Sequence, residues 1–403
     1  MSTTICCLEP VLAPYSIPRF RALQSQYPEY AVQVLALGAT ERMREWKVQK
    51  QDLGFEYLEA VPGETVENIK SDVLSARVRQ WLDECDPQVV AITGYYYPAM
   101  RTAAQWARQH GRASIYLGDS QWIDRPRIAV REWLKGRWVQ RHYDAAFVAG
   151  ERAATYLAGM GFPRERIWTG YDVVDNAVFA SGAAEARAAA QHVRPRLGLP
   201  ERFFLFVGRF APEKNLPRFL DAYARYRRIA GRQAWDLVMA GRGPQDELLQ
   251  RQAKSIGGVM FAGFQQAEQL PPYYGLASCL VLPSVSETWG LVVNEAMAAG
   301  LPVLVSHRCG CVPELVRTGS NGYVCDPLNI DGMAQSMKAL SSSGIDLDAM
   351  GAASRRIVAL YTPETWAQDL ADCIERTTAR IQEPLAEPVL RRAGLFKAER
   401  QPN

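Results

Sequence analysis

The chain is predicted to be an α/β protein with two doubly wound domains, on three observations. Short apolar runs of strand length alternate with helical stretches through the first half, the same alternation resumes after residue 200, and an Ala-rich segment between the two loses the strand period. Apolar runs followed by amphipathic helices give parallel strands covered by helices on both faces. With 403 residues, 48% of them hydrophobic and 22% charged, there is enough chain for two separate cores.

In order, TTICCL, AVQVLAL, FEYLEA, QVVAIT, ASIYLG and DAAFVA read as strands of the first domain. Between them VENIKSDVLSARVRQWLDEC and PAMRTAAQWARQHG read as helices, the second stopping at Gly111. The segment RIWTGYDVVDNAVFASGAAEARAAAQHVRPRLGLP puts a hinge near 170–185. The second domain follows as FFLFVG, DLVMAG, VMFAG, CLVLP and PVLVS, each leading into a turn and a helix. PETWAQDLADCIERTTARI closes the pattern as a helix with Trp366, Leu370, Cys373 and Ile374 on one face. The charged, Pro-containing tail beyond it is expected to be loosely ordered.

Composition removes several classes of function. A net charge of +3, from 46 basic and 43 acidic side chains, carries no nucleic-acid footprint. Eight scattered cysteines and a start, MSTTICCLEP, that lacks a signal-like pattern point to reduced thiols and a cytoplasmic protein. No apolar run is long enough to span a bilayer. Cys309 and Cys311 form a lone CxC, poor zinc spacing, and the four His show neither metal nor triad spacing, so no metal site is expected.

The stretch PSVSETWGLVVNEAMAAGLP, 283–302, carries the most chemistry. It leaves a buried strand and enters a short helix stopped by Gly300 and Pro302, with Glu287 on the loop and Glu295 expected about two turns into the helix. Both carboxylates then flank backbone N–H groups and a macrodipole that favour an anion. Such a pair suits hydroxyls on either side of a diphosphate, as in a sugar nucleotide; taken alone it more often reads as a solvated helix residue and a loop charge. Upstream, FFLFVGRF places Gly208 and Arg209 at a strand end with Lys214 before the next helix, a planar fork and a point charge for phosphate oxygens, or simply partners for Glu213. AGRGP at 240–244 opens like a dinucleotide fingerprint, but Gln245, Asp246 and Glu247 stand where the third glycine belongs.

GRFAPEKN, AGRGP, PSVSETWGLVVNEAMAAGLPV and PELVRTGSNGYVCDP, in that order and spacing, resemble the nucleotide-sugar half of the retaining family 4 glycosyltransferases (group 1 glycosyltransferases), which have the GT-B architecture of two Rossmann-like domains facing across a cleft. The resemblance is strong over 200–330 and diffuse elsewhere. It implies an acceptor-binding domain at 1–178, a nucleotide-sugar domain at 179–365, and at 366–403 a helix crossing back to the first domain followed by a tail. It also implies a metal-independent hexosyl transfer in polysaccharide, lipopolysaccharide or glycolipid synthesis, with a nucleoside-diphosphate sugar, UDP-linked as the default, as donor, a glycan or glycolipid as acceptor, and no separate cofactor.

By the same resemblance Arg209 and Lys214 stabilise the leaving diphosphate, Glu287 contacts donor-sugar hydroxyls and Glu295 the ribose. Gly208, Gly241, Gly243, Phe264, Thr288, Trp289 and Gly290 line the nucleotide. The chain departs from the family pattern where Thr288 and Trp289 replace Gly and Phe and where CGC, 309–311, replaces a double glycine. Those changes narrow the pocket beside the diphosphate. In the first domain Asp119, after ASIYLG, stands where the family often has a His or Asp near the transferred sugar; it reads equally as a helix-cap or turn residue. The family's glycine pair after the first strand is missing, and Tyr15 and Ser16 occupy the loop tip instead. Tyr95, Tyr96 and Tyr97 can stack on a sugar or pack between loops. Segment 125–144, with Arg125, Arg127, Arg131, Lys135, Arg137, Arg141, Trp133 and Trp138, can rest on an anionic membrane, though the favoured reading is a solvated helix with its apolar face in the core. A silent sugar-nucleotide-binding protein, a nicotinamide-dependent oxidoreductase and a pyridoxal-phosphate phosphorylase are the rival readings.

Overall fold

The computed structural model describes residues 2–43, 46 and 48–382. The tail expected to be loosely ordered lies, beyond Gln382, outside the described residues.

The first lobe is a seven-stranded sheet of β1 (Thr3–Glu9), β2 (Tyr30–Ala36), β3 (Glu56–Glu59), β4 (Val89–Thr93), β5 (Ala113–Gly118), β6 (Ala145–Val148) and β7 (Ile167–Thr169), in the spatial order 3-2-1-4-5-6-7. The second is a six-stranded sheet of β8 (Phe203–Val207), β9 (Asp236–Ala240), β10 (Val259–Gly263), β11 (Cys279–Leu282), β12 (Val303–Ser306) and β13 (Gly322–Cys325), ordered 10-9-8-11-12-13. Every pairing is parallel, as the alternating pattern predicts. Two strands lie outside the predicted set. β7 and β13 are an edge strand each, too short to show a period.

Helices of the first lobe are α1 (Ser16–Gln26), α2 (Ser71–Cys85), α3 (Pro98–Gln109), α4 (Ala129–His142) and α5 (Glu151–Gly159). Those that follow are α6 (Asn176–Ala188), α7 (Ala190–Leu197), α8 (Leu216–Ala230), α9 (Asp246–Ile256), α10 (Pro271–Leu276), α11 (Leu291–Ala298), α12 (Val312–Leu315), α13 (Ile330–Leu340), α14 (Leu347–Val358) and α15 (Pro363–Gln382). The helix expected from Val66 is interrupted, because Ile69 and Lys70 are extended and only Ser71 onward is α-helical.

Central strands are apolar on both faces because helices cover both sides. Phe203, Phe204, Leu205 and Phe206 are fully buried in β8, and burying each such side chain stabilises the fold by roughly 1.5–3 kcal/mol. After β7 the chain crosses to the second lobe, where α6 packs on α10 and α11. It returns in α15, which lies on α1 and on β5 to β7 with Trp366, Leu370, Cys373 and Ile374 buried. Buried Arg19 of α1 donates to Val173 O at 2.8 Å and so ties the crossing segment to the first lobe.

Segment 125–144 differs from its favoured reading. In α4 only Gly136 and Val139 are buried, while Val130, Trp133 and Leu134 are 67%, 58% and 56% exposed. The face next to the lobe is instead filled by a polar cluster. Tyr156 Oη accepts from Arg127 Nη1 and from Lys135 Nζ, each at 2.6 Å, and donates to Glu132. Burial pulls the Lys135 ammonium down to about 8 against the pull of Glu132.

Candidate active site

The second-lobe site is built where β8, β9 and β11 end. Gly241 adopts φ +148, and a Cβ there would stand 1.9 Å from Gly208 O; one on Gly243 would stand 2.6 Å from Phe210 O. The loops after β8 and β9 therefore touch backbone to backbone, and Gly208, Gly241 and Gly243 act through packing. Phe264, half-buried, lies on the loop after β10. Asn215, buried with φ +59, caps the turn that carries Glu213 and Lys214. Its Nδ2 donates to Pro283 O at 3.2 Å and Pro327 O at 2.7 Å, which fixes that turn to the end of β11.

Glu213 O then accepts from Val285 N at 2.9 Å and Ser286 N at 3.3 Å, so the 209–214 and 283–290 loops form one unit. On it three of the predicted side chains converge. Lys214 Nζ donates to Glu287 Oε2, which also accepts from Ser284 Oγ at 3.2 Å, while Arg209 pairs with Glu213. The Arg209 pair is a third exposed and so contributes little to stability; the Lys214 pair is only 16% and 15% exposed. Both cations thus hold carboxylates that a diphosphate would replace. Gly290, with φ +110, turns the chain into α11 beside them.

Glu295 sits one turn into α11, not two, because the helix starts only at Leu291. Its carboxylate accepts from Tyr274 Oη. Burial raises it to about 7, opposed by the Tyr274 bond. A carboxyl raised from 4.5 is protonated in the fold while ionised in the unfolded chain, so stability falls as pH rises from about 4.5 through about 7. Glu295→Gln should therefore raise the melting temperature by a few degrees at pH 8, with the difference vanishing below pH 4; thermal melts at the two pH values check it.

Two predicted nucleotide contacts are placed otherwise. The Trp289 side chain is 2% exposed, its indole N–H donates to Asn294 Oδ1 at 2.9 Å, and it packs against Gly150 and near Tyr361. A larger ring than the usual Phe fills the seam between the lobes. Thr288 Oγ1 donates to Asp119 Oδ2 at 2.6 Å, which joins the lobes. Asp119 caps no helix, since α4 begins ten residues later at Ala129.

Gln121 carries no sequence signal beyond its nearness to Asp119, and the structure gives it the central contact. Its side chain is almost fully buried and its Nε2 donates to Glu287 O at 2.6 Å and Arg308 O at 3.3 Å. Arg127 Nη2 in turn donates to Gln121 O at 2.6 Å, and Ser286 Oγ donates to Asp124 O. Residues 286, 287 and 288 are each held by the loop after β5, which fixes the Glu287 backbone. Gln121→Ala should raise the donor KM by roughly tenfold with kcat little changed, as loss of a buried hydrogen bond implies, and steady-state kinetics check it. Of the aromatic triplet, Tyr96 is 81% exposed and edge-on to Tyr97, 5.1 Å between centroids. Cys309 and Cys311 are buried free thiols that burial makes harder to ionise.

Residues 189–357 match the family model described as glycosyl transferases group 1. The chain is similar to alpha-D-kanosaminyltransferase of Streptomyces kanamyceticus, 32% identical over 214 residues, 51% of this chain and 54% of that protein. It is similar also to a GDP-mannose-dependent alpha-(1-6)-phosphatidylinositol monomannoside mannosyltransferase of Mycobacterium tuberculosis, 32% identical over 197 residues, 46% of this chain and 50% of that protein. The chain thus spans about half the length of these relatives. In shape it resembles Anabaena HepE in a complex with UDP and glucose, with a TM-score of 0.73, 16% identity, and coverage of 93% of this chain and 100% of that one. Residues 189–357 are thus similar to group 1 glycosyl transferases, within a chain that has the GT-B fold.

Proposed function

We propose that the protein is a retaining, family 4 glycosyltransferase that moves a hexose-like sugar from a nucleoside diphosphate to a hydroxyl of a glycan or glycolipid. The observation that carries this reading is the convergence of Arg209, Lys214 and Glu287 on one loop unit beside the start of α11. In the step, the anomeric carbon–oxygen bond to the diphosphate breaks and its electron pair leaves on the phosphate oxygen. The acceptor hydroxyl oxygen bonds to that carbon, and its proton passes to the departing phosphate. Arg209 and Lys214, rather than a metal ion, carry the developing charge. Glu287 and Glu295 hold the donor-sugar and ribose hydroxyls, Asp119 stands on the acceptor side of the same seam, and closure of the lobes excludes water. UDP is the default nucleotide, supported by the fold's likeness to a UDP-bound protein; the name of the mycobacterial relative keeps GDP in view.

A thermal-shift series with UDP, GDP, ADP and their sugars tests the donor reading. One diphosphate should raise the melting temperature by mass action, and its sugar should be consumed when an acceptor is present. One observation favours a binding protein without turnover: both cations are held by carboxylates. In that case the diphosphate binds and is never released from its sugar.

The α4 surface supports peripheral contact with an anionic membrane. Ile128, Val130, Trp133 and Leu134 are exposed alongside Arg125, Arg131, Arg137 and Arg141, while of the segment's acids Glu132 pairs with Arg127 and Asp144 accepts from Ser114. No helix among the described residues is long and apolar enough to cross a membrane. Vesicles of phosphatidylcholine with phosphatidylglycerol should sediment the protein, vesicles without it should not, and Trp133→Ala with Arg131→Glu should abolish the difference.

A further inference from the structure

Two thiols of the first lobe stand in contact, away from the candidate site. All eight cysteines lie among the described residues, seven of them buried and Cys85 half-buried. Cys6 is fully buried in the middle of β1, Cys85 is the last residue of α2, and their sulfurs are 3.2 Å apart. We propose that Cys6 and Cys85 form a reversible oxidation site, at which a peroxide converts the two thiols to a disulfide that staples α2 to β1 and stiffens the first lobe. The pair owes nothing to the glycosyl-transfer reading.

The sulfur contact separates this pair from thiols that only pack. A buried cysteine ordinarily serves as a small apolar side chain. Cys7, next along β1, does so on the opposite face of the sheet, in the layer of Phe20 and Trp366. Cys6 instead belongs to the layer of Trp81 and Leu82 and so faces α2. Closing from 3.2 Å to the roughly 2.05 Å of a disulfide takes about 1 Å of movement. Cys85 has that freedom as the terminal residue of its helix. Gln33, opposite Cys6 on β2, donates from Nε2 to Glu56 at 2.8 Å, which turns its Oε1 toward Cys6 Sγ at 3.6 Å. With its hydrogen directed there, Cys6 presents a sulfur lone pair to Cys85.

Exposure sets the order of the chemistry. Half-buried Cys85 meets hydrogen peroxide first: its sulfur bonds to one peroxide oxygen, the O–O bond breaks, and a sulfenic acid and one water result. Cys6 sulfur then bonds to Cys85 sulfur, the S–O bond breaks, and the hydroxide leaves as a second water with the Cys6 proton. Two thiols are thereby oxidised to one disulfide and one peroxide is reduced to two waters. Burial, with the Cys85 sulfur beside it, keeps Cys6 protonated until that step, so it does not react with the oxidant by itself. The two residues are 79 apart in sequence, and the cross-link removes much of the unfolded chain's freedom. The connection from α2 enters the amino end of β4, while Asp119 meets the donor loop beyond the carboxyl end of β5. The disulfide therefore changes stability without entering the candidate site.

The whole chain, treated with a slight excess of hydrogen peroxide, capped with N-ethylmaleimide and cut with trypsin, tests the assignment by mass spectrometry. Peptide 1–19, which carries Cys6 and Cys7, and peptide 80–101, which carries Cys85, should appear joined, and dithiothreitol should separate them. Cys7→Ala should keep the cross-link, and Cys6→Ala and Cys85→Ser should each lose it. Oxidised wild type should melt about 5–10 °C higher than reduced wild type and fall back with dithiothreitol. Cys85→Ser, at a half-buried position that spares the fold, should show no such rise. If no joined peptide forms, if Cys7→Ala removes it, or if the cross-linked protein melts no higher than the reduced one, the assignment falls.

Discussion

Lys214→Ala and Arg209→Ala each lower glycosyl transfer by about 10²–10³-fold, the usual loss when one preorganised charge-stabilising group is removed. The Lys214 change carries a second effect. Lys214 is Glu287's ion-pair partner, so its removal leaves a largely enclosed carboxylate next to the arriving diphosphate. The anion then meets repulsion where it met attraction, and both donor affinity and turnover fall. Arg209 pairs with the more exposed Glu213, so its loss weakens the leaving-group interaction with less disturbance of the loop. Nucleoside diphosphate release, measured with and without acceptor, separates the two: Arg209→Ala should affect mainly kcat, and Lys214→Ala both kcat and the donor KM.

Gly241→Ala should destabilise the second lobe by about 3 kcal/mol or more and abolish nucleotide binding. A methyl group at this position would lie 1.9 Å from Gly208 O with φ at +148, so no rotamer change relieves the clash. The backbones of the loops after β8 and β9 would have to separate, and the turn that carries Arg209 and Lys214 would move with them. Gly344→Ala is the matched control, since no atom lies within 4 Å of its added methyl. Thermal melts of both variants, with and without UDP, GDP and ADP, should show a large fall and no shift for the first, and wild-type behaviour for the second.

What could be read in the sequence follows the range of the physics involved. Strand runs such as FFLFV are legible because a parallel strand buried on both faces must be apolar throughout. The ends of those strands, with Gly208, Arg209, Lys214 and Glu287, are legible because open sheets of this kind bind ligands beyond their carboxyl edges. Contacts between lobes are not. Gln121 and Glu287 are 166 residues apart, and neither periodicity nor spacing links them. The place of Trp289 is hidden for a related reason: the resemblance puts it beside the nucleotide, yet its side chain is buried against Gly150 of the other lobe. Helix α4 shows how a pattern can be present while its orientation is open. Alternating apolar and cationic residues define two faces, but which one the lobe covers depends on the polar cluster around Tyr156, assembled from residues on separate elements.

Everything proposed for the second lobe turns on where a diphosphate binds. A crystal structure with the nucleoside diphosphate that gives the largest thermal shift decides it. The predicted result has phosphate oxygens within hydrogen-bonding distance of Lys214 Nζ and the Arg209 guanidinium, with Glu287 released from Lys214. A diphosphate bound elsewhere, with the Arg209–Glu213 and Lys214–Glu287 pairs both intact, would contradict it.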